Sequence, residues 1–112
     1  MHEVVIIATT LDSRSKAQVM ARALVEARLA ACAQILPIES VYRWNGEVEQ
    51  VEEFLLQIKT TAAYAEAAEA LIATLHDYEL PEITVTAVAG GSAAYLGWVE
   101  QSVGELSADR SG

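Results

Sequence analysis

The chain has 112 residues, 53% of them hydrophobic, with 16 acidic against 7 basic side chains and a formal charge of -9. That length fills one core rather than two, the charge repels nucleic-acid phosphates and anionic lipid, and no apolar run approaches the roughly 20 residues of a membrane-spanning helix. A lone cysteine, Cys32, makes no internal disulfide, and Met1-His2-Glu3 does not open a secretory signal; the expectation is one domain over residues 1–112 in a reducing cytoplasm.

The β-branched run from Val4 to Thr10 reads as a strand buried on both faces, in the middle of a sheet. Asp12 or Ser13 caps the helix that follows, whose apolar stripe is Ala17, Met20, Leu24, Ala27 and Ala31. From Cys32 the pattern is extended as far as Trp44, with Pro37 requiring a bulge or an edge position because it donates no ladder hydrogen bond. Asn45-Gly46 supplies the two positive-φ residues of a type I′ turn, and Val48 to Lys59 returns as the second arm of a hairpin. Each arm is about twice the usual strand length of roughly 5–6 residues.

Thr60 or Thr61 caps a second helix with the stripe Tyr64, Ala68, Leu71, Ile72 and Leu75, ending near His76. Pro81 breaks the chain, Ile83 to Val88 forms a last strand, and Gly90-Gly91-Ser92 leads into a short helix bearing Tyr95, Leu96, Trp98 and Val99. A disordered tail is expected from about residue 105. Strand, helix, strand, strand, helix, strand, with right-handed crossovers, gives an α+β domain: a ferredoxin-like βαβ-βαβ antiparallel sheet of order 4-1-3-2, with a long β-hairpin and a short C-terminal helix.

A hairpin that outruns its sheet leaves ladder groups and apolar side chains uncovered, so oligomerisation is expected, with Tyr42 and Trp44 as anchors. The competing reading is an aromatic pair packed within one hairpin.

Several segments in fixed order resemble the CutA family of divalent-cation tolerance proteins: Leu29-Ala30-Ala31-Cys32-Ala33, Val41-Tyr42-Arg43-Trp44-Asn45-Gly46, Leu56-Gln57-Ile58-Lys59-Thr60, His76-Asp77-Tyr78-Glu79-Leu80-Pro81-Glu82-Ile83 and Tyr95-Leu96-Gly97-Trp98-Val99. The resemblance implies a ferredoxin-like protomer, a homotrimer joined through the hairpins, clefts between subunits, and copper(II) or another divalent metal as the ion handled. It implies no organic cofactor. The family's segment usually reads His-Pro-Tyr-Glu where this chain has Asp77 after His76, and some members carry Cys and His where this chain has Ala8 and Leu75.

Cys32 and His76 are the soft candidate metal ligands, with Glu79 and Glu82 as acidic neighbours. A cysteine at a strand start, as Cys32 is, is more often a small buried hydrophobe than a ligand, and His76 is equally readable as a helix C-terminal cap. The resemblance implies a family cleft whose equivalents here are Gln34, Lys59, Tyr78, Glu79, Glu82 and Trp98, the expected place for a small ligand; within it Lys59, an ammonium in an apolar strand, needs either a carboxylate such as Glu79 or Glu82, in a purely structural ion pair, or an anionic ligand. Gly90-Gly91-Ser92 as an anion cradle and the hairpin glutamates as hard-cation ligands are weaker signals.

No nucleophile-base grouping, P-loop, zinc-hydrolase pair or dinucleotide fingerprint is present in the sequence, so no enzyme is expected. The leading expectation is a divalent-cation-binding homotrimer. The alternative is a metal-independent small-ligand sensor or scaffold with its site between subunits, and a third is a purely structural trimer.

Overall fold

The computed structural model describes residues 3–105. The expected tail from about residue 105 lies almost wholly outside that range, as does His2. Elements follow as β1 (Val4–Leu11), α1 (Arg14–Glu26), β2 (Cys32–Trp44), β3 (Glu47–Thr61), α2 (Ala62–Leu75), β4 (Thr84–Ala87) and α3 (Ala93–Ser102). The four strands form one sheet of order β2-β3-β1-β4, the expected order read from the opposite edge. All three pairings are antiparallel. This is the ferredoxin-like α+β plan.

Alternation divides β1 and β3 between two faces. Val5, Ile7 and Leu11 join Leu56 and Ile58 on one face, against Ala17, Met20 and Leu24 of α1 and Ala65, Ala68 and Ile72 of α2. The α2 stripe therefore runs through Ala65, Ala68 and Ile72, and the expected Leu75 is 42% exposed. The other face carries Ile6, Ala8 and Thr10 opposite Lys59, Gln57 and Leu55. Helix α3 covers only one end of it, where Val4, Val99 and Val103 are buried apart from the main cluster.

Ser13, not Asp12, caps α1, its Oγ accepting from the backbone N–H of Lys16 at 3.2 Å. The helix closes without a glycine: Arg28 takes φ 60°, and the N–H of Leu29 returns to the carbonyl of Leu24 at 3.0 Å. That reversal turns the chain early, so Ala30 is buried in place of the expected Ala27 and Ala31. Thr61 occupies the cap position of α2 with no side-chain cap bond, and the N–H of Ala62 donates instead to the carbonyl of Glu3.

The hairpin is the largest departure from a spherical domain. Its arms are 13 and 15 residues long, Asn45 and Gly46 sit at φ 51° and 81° as a type I′ turn requires, and Pro37 lies on the edge strand β2 with register unbroken opposite Phe54. β1 ends opposite Phe54, so the pairs from Ile38 with Glu53 out to Trp44 with Glu47 have no third strand. That overhang extends about 23 Å. It accounts for overall extents of 54 × 26 × 21 Å.

Candidate functional site

The open sheet face carries two separate groups of candidate residues. Cys32, Gln34 and Lys59 share it at the base, where Cys32 lies opposite Lys59 and Gln34 opposite Gln57. Six residues along β3, about 20 Å away, Glu53 marks the start of the overhang. Tyr42 and Trp44 follow it on the same face, since they pair with Glu49 and Glu47.

At the base, Lys59 meets neither Glu79 nor Glu82. Its Nζ stands 5.6 Å from the centroid of the Tyr95 ring, and Tyr95 in turn packs against Trp98 with ring centroids 5.5 Å apart. The quadrupole of the exposed aromatic thus takes the place of the expected carboxylate. Trp98 also lines a separate hollow with Arg28, Ala30, Ala31 and Gln101. Arg28 donates from Nε to the carbonyl of Gly104 and from Nη2 to that of Gln101 at 3.0 Å, which ties the end of α3 to the end of α1.

The overhang end holds the larger cleft, about 800 Å³, between the hairpin arms and the segment 78–82. His76 and Tyr78 set that segment in place. The Nε2–H of His76 donates to the carbonyl of Thr10 at 2.8 Å, and its Nδ1 accepts from the backbone N–H of Tyr78 at 3.2 Å, which assigns the Nε2–H tautomer. The ring therefore straps the chain after α2 to β1 and does not cap its own helix. Tyr78 stacks obliquely on His76 at 4.7 Å, and its hydroxyl donates to Oε2 of Glu53 at 2.7 Å. Burial first, then the hydrogen bond to Glu53 and its negative charge, pushes the Tyr78 phenol well above the usual tyrosine range.

Asp77, standing where the family usually has proline, holds the same segment from outside. Nζ of Lys16 reaches Asp77 at 2.6 Å and Asp12 at 2.9 Å. The hydrogen bond from Lys16 lowers the Asp77 carboxyl, while those to Asp77 and Asp12 raise the Lys16 ammonium. Solvent screens this exposed bridge, so it adds little to stability.

Five carboxylates, Asp12, Glu52, Glu53, Glu79 and Glu82, line the cleft with the aromatic rings of Tyr42, Trp44 and Tyr78. The predicted cleft residues are thus divided within one chain: Tyr78, Glu79 and Glu82 lie at the overhang, Gln34, Lys59 and Trp98 at the base. The candidate metal ligands are divided in the same way, with Cys32 half-buried at the base and His76 behind Tyr78. Among the described residues no three His, Cys, Asp or Glu side chains come together as a metal centre. Sequence reading missed the role of Glu53. Its signal was the register, which sets this hairpin glutamate opposite Ile38 at the first pair beyond the end of β1.

Residues 5–102 match the family described as CutA1 divalent ion tolerance protein. The chain belongs to the CutA1 family. It is 43% identical over 105 residues to the divalent-cation tolerance protein CutA of Thermus thermophilus, covering 93% of this chain and all of that protein. It is 37% identical to mouse protein CutA over 88% of this chain, which spans 56% of the mouse protein. The crystal structure of CutA from Synechococcus elongatus superposes with a TM-score of 0.89 at 36% identity, covering 93% of each chain. These matches establish a divalent-cation tolerance family member with this fold. No helix of the described residues is long and apolar enough to cross a membrane.

Proposed function

We propose that the protein is a homotrimer, joined through its hairpins, that serves divalent-cation tolerance as a binding protein and not as an enzyme. The overhang carries the assembly reading. Its seven strand pairs lack a third strand, and Val41, Tyr42 and Val48 on it are 64%, 43% and 65% exposed. A two-stranded ribbon is marginal alone in water, and neighbouring ribbons satisfy both its edges and its apolar side chains. Light scattering over a dilution series tests this. Three times the chain mass of 12.0 kDa is expected, and a monomer at micromolar concentration contradicts it.

The ion proposed is copper(II) or another divalent cation, with Glu79, Glu82, Cys32 and His76 as ligand candidates. One chain does not assemble them, so the reading requires donors from more than one chain. Titration of chelator-stripped protein with copper(II) and zinc(II) is expected to show stoichiometric binding that a Glu79→Gln/Glu82→Gln variant loses. Absence of binding contradicts the metal reading. The cytoplasm is the compartment assigned, supported by the single free thiol, and the charge of -9 argues against nucleic-acid or anionic-membrane partners.

A second reading, a small-ligand sensor that needs no metal, is favoured by one observation. Both ring nitrogens of His76 are engaged with backbone groups, leaving no lone pair for an ion unless the strap opens.

A further inference from the structure

We propose that the segment 79–82 of one protomer docks on the base of its neighbour's open sheet face, where the neighbour's Lys59 pairs with the carboxylates of Glu79 and Glu82, an assignment that rests on the homotrimer reading. The Lys59 ammonium is on a half-buried residue of β3, makes no ion pair among the described residues, and has the Tyr95 ring beside it. A cation withdrawn from water ordinarily meets a carboxylate. No carboxylate stands on the strands at that end of the face: Ile6 and Cys32 flank Lys59, and Ala8, Gln57 and Gln34 form the next row.

The matching charges lie at the overhang end. Glu79 and Glu82 are exposed and make no ion pair among the described residues. Between them Leu80 is 72% exposed, more than any other large apolar side chain among the described residues, while Tyr95 and Trp98 beside Lys59 are 41% and 45% exposed. Each end thus carries an uncovered apolar surface with an unpaired charge, and the two charges are opposite.

Symmetry makes these two ends partners. A contact repeated around a three-fold ring is heterologous, so a patch on each chain meets a different patch on the next. The overhang end of one chain therefore needs an unlike surface on its neighbour, and the base supplies one, with the opposite charge and with rings against which Leu80 packs. Tyr78 bonds the segment to Glu53 of the hairpin, so a hairpin that packs against a neighbour carries Glu79 and Glu82 with it. Lys59 and Trp98, which a single chain keeps apart from Glu79 and Glu82, meet them across two chains.

Charge reversal read by light scattering over a dilution series tests the pairing, with circular dichroism reporting the folding of each variant. Lys59→Glu and Glu79→Lys/Glu82→Lys are each expected to dissociate at a protein concentration about tenfold or more above that of the wild type, because like charges then meet. A chain carrying all these substitutions restores opposite charges at every contact of the ring and is expected to recover most of that loss. Should a variant fail to fold, carbodiimide coupling of the wild-type protein decides: an amide between Lys59 of one chain and Glu79 or Glu82 of another is expected, identified by mass spectrometry in trimers mixed from isotopically light and heavy chains. A wild-type trimer whose stability the folded charge variants do not lower, a folded swap without recovery, or no coupling between chains at Lys59 overturns the pairing and leaves the trimer standing. A wild-type monomer overturns both.

Discussion

The hydroxyl of Tyr78 donates to the buried carboxylate of Glu53 at 2.7 Å, joining the segment after α2 to the hairpin where β1 stops supporting it. Removing that hydroxyl leaves a buried carboxylate without its donor. Tyr78→Phe is expected to destabilise the fold by about 1–3 kcal/mol, read from urea unfolding. The phenol also gives alkaline pH dependence. Its proton is held more tightly in the folded chain than in the unfolded one, so the stabilisation is complete below the unfolded value of about 10 and is lost as pH rises through the higher folded value. Stability is expected to fall above about pH 10, and less steeply in Tyr78→Phe.

The two bonds of the His76 ring give a structural cost that precedes any metal effect. His76→Ala is expected to lose about 1–2 kcal/mol in chelator-treated protein, since a carbonyl and an N–H are left without partners. Equal stability of the two proteins in chelator would show that the strap contributes nothing.

Gly104 has φ 81°, and a Cβ added there would lie 2.3 Å from the hydroxyl oxygen of Tyr64. Gly104→Ala therefore meets both left-handed strain and a side-chain collision, and about 2 kcal/mol or more of destabilisation is expected. Adding Tyr64→Ala should recover the collision part of that cost, which a double-mutant cycle in thermal unfolding measures.

The hydroxyls of Thr9 and Thr60 are fully buried with no hydrogen-bond partner among the described residues. Valine matches their shape without the polar atom. Thr9→Val and Thr60→Val are each expected to be neutral or to stabilise by about 1 kcal/mol, and a loss larger than that in urea unfolding would place a bonded hydroxyl there.

The hairpin was fully legible because its signals are local: Asn45-Gly46 forces the turn and alternation carries the register from it. The sheet order followed from chain connectivity. The end of α1 was not legible, because Arg28 adopts a left-handed conformation that nothing in its residue type announces. The site divided for a different reason. Lys59 and Glu53 are six residues apart on one strand, and only the strand's direction shows that they stand at opposite ends of the sheet. Lys59 found Tyr95 and not a glutamate because α3 crosses the open face at that end.

Hydrogen exchange at the overhang tests the assembly reading most directly. If neighbouring hairpins cover it, amides of residues 41–52 exchange slowly in the wild-type protein, by about 100-fold or more relative to an unstructured chain. Exchange of that segment near the unstructured rate, while β1 and the base of β3 remain protected, would show the ribbon standing alone and contradict the trimer.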